Sequence, residues 1–179
     1  LANALAKQIR DGDVEIETQG RKITVRIKEK GSFASGSAQL QDGFAMVLHD
    51  VRDVLSGMRG KILVQGHTDN IAINTSRFRS NWELSSARAV SVAEELLSEG
   101  VLNPQRFTVS GFSYTKPLVE NNSTANRALN RRVEIVINQD EGDVVAEGLE
   151  NLQEESPQQY RQLDVKLTPR FNIQPSEIF

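Results

Sequence analysis

No cysteine occurs among the 179 residues of this chain. Disulfides, thiol nucleophiles and thiolate metal sites are thereby excluded, and the redox compartment is left open. Aromatic residues make up only 6% of the sequence, and its arginines are scattered. A nucleic-acid partner would need a dense basic stripe or a stacking platform, so none is expected. No apolar stretch approaches the roughly 20 residues of a membrane helix. With 38% hydrophobic residues and a mean hydropathy of −0.42, the composition is that of a soluble chain. The sequence opens on Leu1 with neither an initiator methionine nor a signal-peptide pattern. A fragment or processed product is expected, which says little about membrane segments in a parent protein.

What is present suffices for one domain and is short for two. The net charge of −3 hides an asymmetry: residues 139–179 hold 9 acidic and 3 basic side chains, whereas residues 1–138 hold 15 acidic and 18 basic. An acidic tail thus follows a mildly basic body.

Within the body, Asp13 to Thr18 and Lys22 to Lys28 each alternate polar and apolar residues across Gln19-Gly20-Arg21, which predicts a β-hairpin with one wet face. From Ser37 to Met58 apolar residues recur at helical spacing, with Asp42, Asp50, Arg52 and Asp53 elsewhere on the wheel. A strand is expected over Lys61 to His67. A second helix runs from about Asn81 to Glu99, entered through Ser80-x-x-Glu83, a capping-box pattern, and stopped at Gly100. Strands over Arg106–Ser110 and Arg132–Ile137 enclose an Asn-rich loop at 121–126 that leads into a short helical turn. This alternation predicts an α/β sandwich, a mixed sheet with helices on one face.

The chemistry concentrates where the strand ending at His67 meets the following helix. Asp69 is a carboxylate acceptor, and Arg88 is a permanently charged planar fork of donors. On the helical wheel Ala89, Val90, Val92, Ala93, Leu96 and Leu97 share an apolar arc, with Arg88, Ser91 and Glu95 opposite. Charge alone leaves two readings open: a solvated arginine or structural ion pair with Asp69, and a clamp for a ligand that is both amine and acid. Arg127, Arg131 and Arg132, with Asn126 and Asn130, form a second cluster, suited either to carboxylates and carbonyls or merely to flanking a strand. His67 and Asp69 could contribute two metal ligands, but His49 is the one other imidazole, so a satisfied structural histidine is favoured. No serine stands in a Gly-x-Ser-x-Gly elbow, and no glycine-rich phosphate loop occurs.

Five ordered blocks then carry a resemblance. They are Phe33-x-x-Gly36-x-Ala38-x-Leu40; Val64-x-Gly66-His67-Thr68-Asp69-Asn70; Leu84-Ser85-x-x-Arg88-Ala89-x-x-Val92; Gly111-Phe112 with Pro117; and Asn130-Arg131-Arg132-Val133-Glu134-Ile135. Over residues 13–138 the sequence resembles the OmpA-like peptidoglycan-binding domain. The resemblance implies a βαβαβ core that holds the peptide stem of the bacterial cell wall through meso-diaminopimelate, without catalysis, cofactor or metal. Carried over by position, Asp69 would take the ammonium and Arg88 the carboxylate at one end of that side chain. Thr68, Asn70, Asn81, Leu84, Arg127 and Arg131 are secondary candidates.

Within that family, residues 80–85 and the long loop 71–78 are similar to the flagellar stator branch, the MotB and PomB proteins. That likeness implies a periplasmic domain of a protein held in the inner membrane by one helix before Leu1, with residues 1–12 as linker. It also implies a homodimer, a membrane partner subunit, contacts with basal-body ring proteins and an ion-driven role in motility. The acidic tail, residues 139–179, lies outside the common family pattern and marks a PomB-like, sodium-using subtype. Two alternatives remain at this point: an OmpA- or Pal-type envelope anchor unconnected with motility, and a metal-assisted cell-wall hydrolase centred on His67 and Asp69.

Overall fold

The computed structural model describes residues 5–139. The first four residues of the expected linker, and the acidic tail beyond Gln139, lie outside the described residues.

Alternating side chains build the predicted hairpin from β1 (Val14–Gln19) and β2 (Lys22–Lys28). Gln19 lies opposite Lys22, which leaves only Gly20 and Arg21 to turn the chain. Gly20 has φ +60°, the left-handed region that such two-residue turns require. With β3 (Lys61–His67), β4 (Phe107–Gly111) and β5 (Arg132–Asn138) the sheet has the order β1-β2-β5-β3-β4. The last strand is therefore central: β5 runs antiparallel to both β2 and β3, and β3 runs parallel to β4. The helices are α1 (Ala6–Asp11), the kinked single turn α2 (Glu29–Ser32), α3 (Asp42–Ser56), α4 (Asn81–Leu97) and α5 (Thr124–Asn130). This is the expected mixed α/β sheet. Among the described residues no helix is long and apolar enough to cross a membrane. In the stretch expected as a linker, Leu5 is fully buried and joins the core beside α1.

One sheet face is apolar and covered: Val25 and Ile27, Ile62 and Val64, Val133, Ile135 and Ile137 pack with Phe44, Leu48, Val51 and Leu55 of α3 and with Ala89, Val92 and Leu96 of α4. The opposite face is a charge ladder. Arg26 binds Glu17 and Glu134, and Arg132 binds Glu134 at 2.8 Å.

Three expectations need correction. The first long helix begins at Asp42, not Ser37, because residues 33–41 loop back through a bridge between Phe33 and Leu40. Arg52, assigned to the polar side of its helix, is buried. It donates to the carbonyls of Leu96 (3.1 Å) and Glu95 (2.7 Å) and pairs with Glu99 (2.6 Å), so it supplies donors to the last turn of α4. On α4 the buried arc runs through Asn81, Leu84, Ser85, Arg88, Ala89 and Val92, while Val90 is exposed. Arg88 therefore faces inward with only 1% exposure.

The capping prediction holds in part. Ser80 Oγ accepts from Glu83 N at 3.3 Å, but the Glu83 carboxylate reaches one residue further back, to Arg79 N at 2.7 Å.

What sets α4 against the sheet is the absence of two side chains. A Cβ on Gly66 would meet the Ser85 carbonyl oxygen at 1.9 Å, and one on Gly111 would meet Ser86 N at 2.6 Å. Helix backbone thus lies directly on the C-terminal ends of β3 and β4, and Ser85 Oγ accepts from Ser113 N at 3.0 Å. Gly66→Ala is expected to destabilise the fold by on the order of 2–3 kcal/mol, because backbone cannot yield as a side chain can. Gly43→Ala, whose Cβ meets nothing within 4 Å, should be neutral or slightly stabilising. Urea denaturation of the two variants checks the contrast.

Candidate functional site

At the C-terminal end of β3 the chain leaves the sheet and turns tightly. Thr68 N donates to Ser113 O at 2.9 Å, and Thr68 Oγ1 to Asp69 O at 2.9 Å. Asp69 Oδ1 then accepts from Ile71 N at 2.9 Å, an Asx-type turn that fixes the carboxylate as it starts the loop. Asn81, first residue of α4, staples that loop: Nδ2 donates to the carbonyls of Ile71 (2.9 Å) and Asp69 (3.3 Å), and Oδ1 accepts from Ile73 N (3.2 Å). Leu84 packs beneath it with Phe78 and Ala38.

Two turns further along α4, Arg88 projects into the same place. Its Nε donates to Ser37 O at 2.8 Å, its guanidinium lies 5.2 Å from the centre of the Phe33 ring, and its Nη2 is bound by Glu29. Arg131, just before β5, donates Nη1 to Asp69 Oδ2 at 2.6 Å and Nε to Glu29. Four charges therefore form one chain, Asp69, Arg131, Glu29, Arg88, in which each neighbour has the opposite sign. Burial works against the Arg131 charge, but the hydrogen bonds it donates to Asp69 and Glu29 prevail and hold its pKa above the ordinary value. Asp69 and Arg88 stand at the two ends of the chain, along a cleft of about 390 Å³.

Of the residues singled out from sequence, Thr68, Asp69, Asn81, Leu84, Arg88 and Arg131 line this cleft. Asn70 is exposed and does not line it. Arg127 is turned onto its own helix entrance, donating to Asn121 O and Thr124 Oγ1 at 3.1 Å each. The direct Asp69–Arg88 pair considered from sequence does not form; each has another partner. Glu29 was missed altogether. It sits where the hairpin ends, outside every sequence block, and the one available signal was charge balance: two arginines at one buried carboxylate require a second acid.

His67 is buried at the strand end, as expected, and the polar groups near its ring are the Lys116 backbone and the Glu134 carboxylate. Its ring stacks on Phe112 at 5.4 Å, and its Nε2 lies 4.0 Å from Glu134 on the polar face of the sheet. Asp69 turns to different partners. Among the described residues no group of three or more acidic or imidazole side chains is placed to hold a metal.

Comparison with known proteins gives a consistent set. The sequence profile of the OmpA family matches residues 32–131. Motility protein B of Bacillus subtilis (strain 168) is 32% identical over 142 residues, which is 76% of this chain and 54% of that protein. Among solved structures, the cell wall anchor of the T6SS from Pseudomonas aeruginosa matches with a TM-score of 0.72 at 41% identity, over 78% of this chain and 97% of that one. The periplasmic domain of Helicobacter pylori MotB matches with a TM-score of 0.66 at 25% identity, over 80% of this chain and 93% of that one. The chain spans about half the length of the curated relatives it matches.

The His67 environment carries a pH signature. Desolvation, then the nearby Arg132 charge, lower its pKa from 6.5 to about 4, against the opposing pull of Glu134. Between those values the unfolded chain binds a proton that the folded chain refuses, so stability rises with pH there. The contribution is complete above about pH 6.5 and is lost as pH falls through about 4. His67→Gln is expected to flatten the dependence of unfolding free energy on pH in this window, as read by urea denaturation at a series of pH values. An unchanged slope would show that other groups dominate.

Proposed function

Because the chain belongs to the OmpA family, we propose that it is a non-enzymatic anchor that binds the peptide stem of peptidoglycan through meso-diaminopimelate. The supporting observation is the pair of chain ends in one cleft, a carboxylate at Asp69 and a guanidinium at Arg88, both at most 5% exposed. The free end of a diaminopimelate side chain carries an ammonium and a carboxylate on a single carbon. Asp69 takes the ammonium and Arg88 the carboxylate, and Asn81 and Thr68 hold the loop that fixes Asp69. No bond is made or broken in this role.

At a finer level the anchor serves a flagellar stator, holding an ion-driven torque generator against the cell wall from the periplasm. Support comes from Motility protein B of Bacillus subtilis and the Helicobacter pylori MotB domain. In this reading residues 13–138 are the binding unit, residues 1–12 link it to a membrane helix, and residues 139–179 are an appended acidic tail. It acts as a homodimer with a membrane partner subunit. One observation favours a second reading, a wall anchor for a secretion machine: the T6SS anchor is 41% identical over nearly its whole length.

Asp69→Ala and Arg88→Ala are each expected to weaken co-sedimentation with purified peptidoglycan by about 2–5 kcal/mol, mostly through the unpaired charge left in the site. Circular dichroism must show native folding, since Arg88 is also a packing residue; Arg88→Lys, which keeps the charge but loses the fork, should bind weakly as well. Undiminished wall binding by folded forms of both alanine variants contradicts the site. In cells, either alanine substitution should stop swimming if the anchor serves a stator. Normal motility with defective secretion favours the second reading.

A further inference from the structure

We propose that Glu29 is an internal competitor for the ligand's carboxylate and, with Arg131, sets the selectivity of the cleft for zwitterions. This rests on Asp69 and Arg88 being the two poles of the ligand site. In the structure neither pole is free. The Glu29 carboxylate lies on Arg88, where a ligand carboxylate would bind, and the Arg131 guanidinium lies on Asp69, where a ligand ammonium would bind. Glu29 and Arg131 are also bound to each other. The two therefore form a built-in zwitterion that fills the site with the charges of the ligand.

The exchange this allows conserves ion pairs. The closed chain contains three: Asp69 with Arg131, Arg131 with Glu29, and Glu29 with Arg88. When a zwitterion enters, the two outer pairs are replaced by ligand pairs, and Glu29 keeps Arg131. Three pairs remain, and the four side chains plus ligand stay neutral. A dicarboxylate or a diamine could replace an outer pair too, but would leave a net charge in a site whose poles are nearly fully buried, which costs several kcal/mol per uncompensated ion. Selectivity thus arises from the balance of the resident charges.

The exchange requires little movement. Glu29 N is fixed to Arg131 O at 3.0 Å, so the backbone of this turn is tied to the start of β5. Among the described residues its carboxylate is held only by the two guanidiniums. Rotation about the Glu29 side chain opens Arg88 while keeping the bond to Arg131. Arg131, about one-third exposed, has solvent beside it into which it can turn on leaving Asp69.

Glu29→Gln keeps shape and hydrogen bonding but removes the competing charge. Isothermal titration calorimetry with three seven-carbon probes separates the possibilities: meso-diaminopimelate, pimelate (acids without amines) and heptane-1,7-diamine. The variant is expected to bind meso-diaminopimelate about tenfold more tightly than the parent chain, as loss of one charge-assisted contact from the closed state implies. It should also gain measurable affinity for pimelate, because a negative charge has been removed, and none for the diamine. Equal or weaker diaminopimelate binding by folded Glu29→Gln overturns the proposal, as does tighter binding with no gain for pimelate. If Asp69→Ala still abolishes binding in that case, the site stands and only the competitor role falls. If neither the parent nor Glu29→Gln binds meso-diaminopimelate, both fall together. Thermal melting of Glu29→Gln and of Glu29→Asp, which is too short to reach both arginines, shows whether the fold tolerates the change.

Discussion

The contact on which the rest depends is the backbone-to-backbone approach of α4 to the ends of β3 and β4. Gly66 and Gly111 leave no room for a Cβ against residues 85 and 86, so the helix lies on the sheet at a fixed height and rotation. That placement turns Asn81 and Arg88 toward the loop that begins at Asp69. A helix raised by even one methyl group would carry the Arg88 guanidinium out of reach of Glu29 and Ser37, and would release the loop that Asn81 staples. Geometry here comes from close packing, whose tolerance is a fraction of an ångström.

Arginine does more than bind in this fold. Arg52 binds carbonyls in the last turn of α4, and Arg106 holds the connection between α3 and β3 through Met58 O at 2.7 Å and Gly60 O at 2.9 Å. Cations wholly or partly removed from water persist because the planar fork meets several acceptors at once, offsetting desolvation that a lone ammonium could not offset. Arg88 differs from these two in one respect. It shares its main acceptor, Glu29, with another arginine, so its partner can be exchanged without stranding a charge.

The hairpin strands were legible because alternation over six or seven residues reports a half-buried sheet directly, and β3, a run of strand-formers, was read to the residue. The helix wheel was less informative. Arg88 and Arg52 flank apolar arcs, and a wheel cannot tell a solvated arginine from one that meets carbonyls or a carboxylate brought in from elsewhere in the chain. Glu29 was invisible for the same reason: its partners lie 59 and 102 residues away. Asp69 stood out as a carboxylate at a strand end and Arg131 in an arginine cluster; the resemblance gave both a ligand role and added Asn81, and no spacing revealed the cleft. Asn70, beside Asp69, and Arg127, on the helix before Arg131, show the limit of such reading, since neighbours in sequence do not all face the same side.

The central claim is that a zwitterion enters between Asp69 and Arg88 and leaves Glu29 paired with Arg131. A crystal structure of the chain with bound meso-diaminopimelate tests it most directly. The account predicts the ligand ammonium on the Asp69 carboxylate, the adjacent carboxylate on Arg88, and the Glu29–Arg131 contact retained with Glu29 turned away from Arg88. A ligand bound elsewhere, or one bound with the Glu29–Arg88 pair intact, would contradict it.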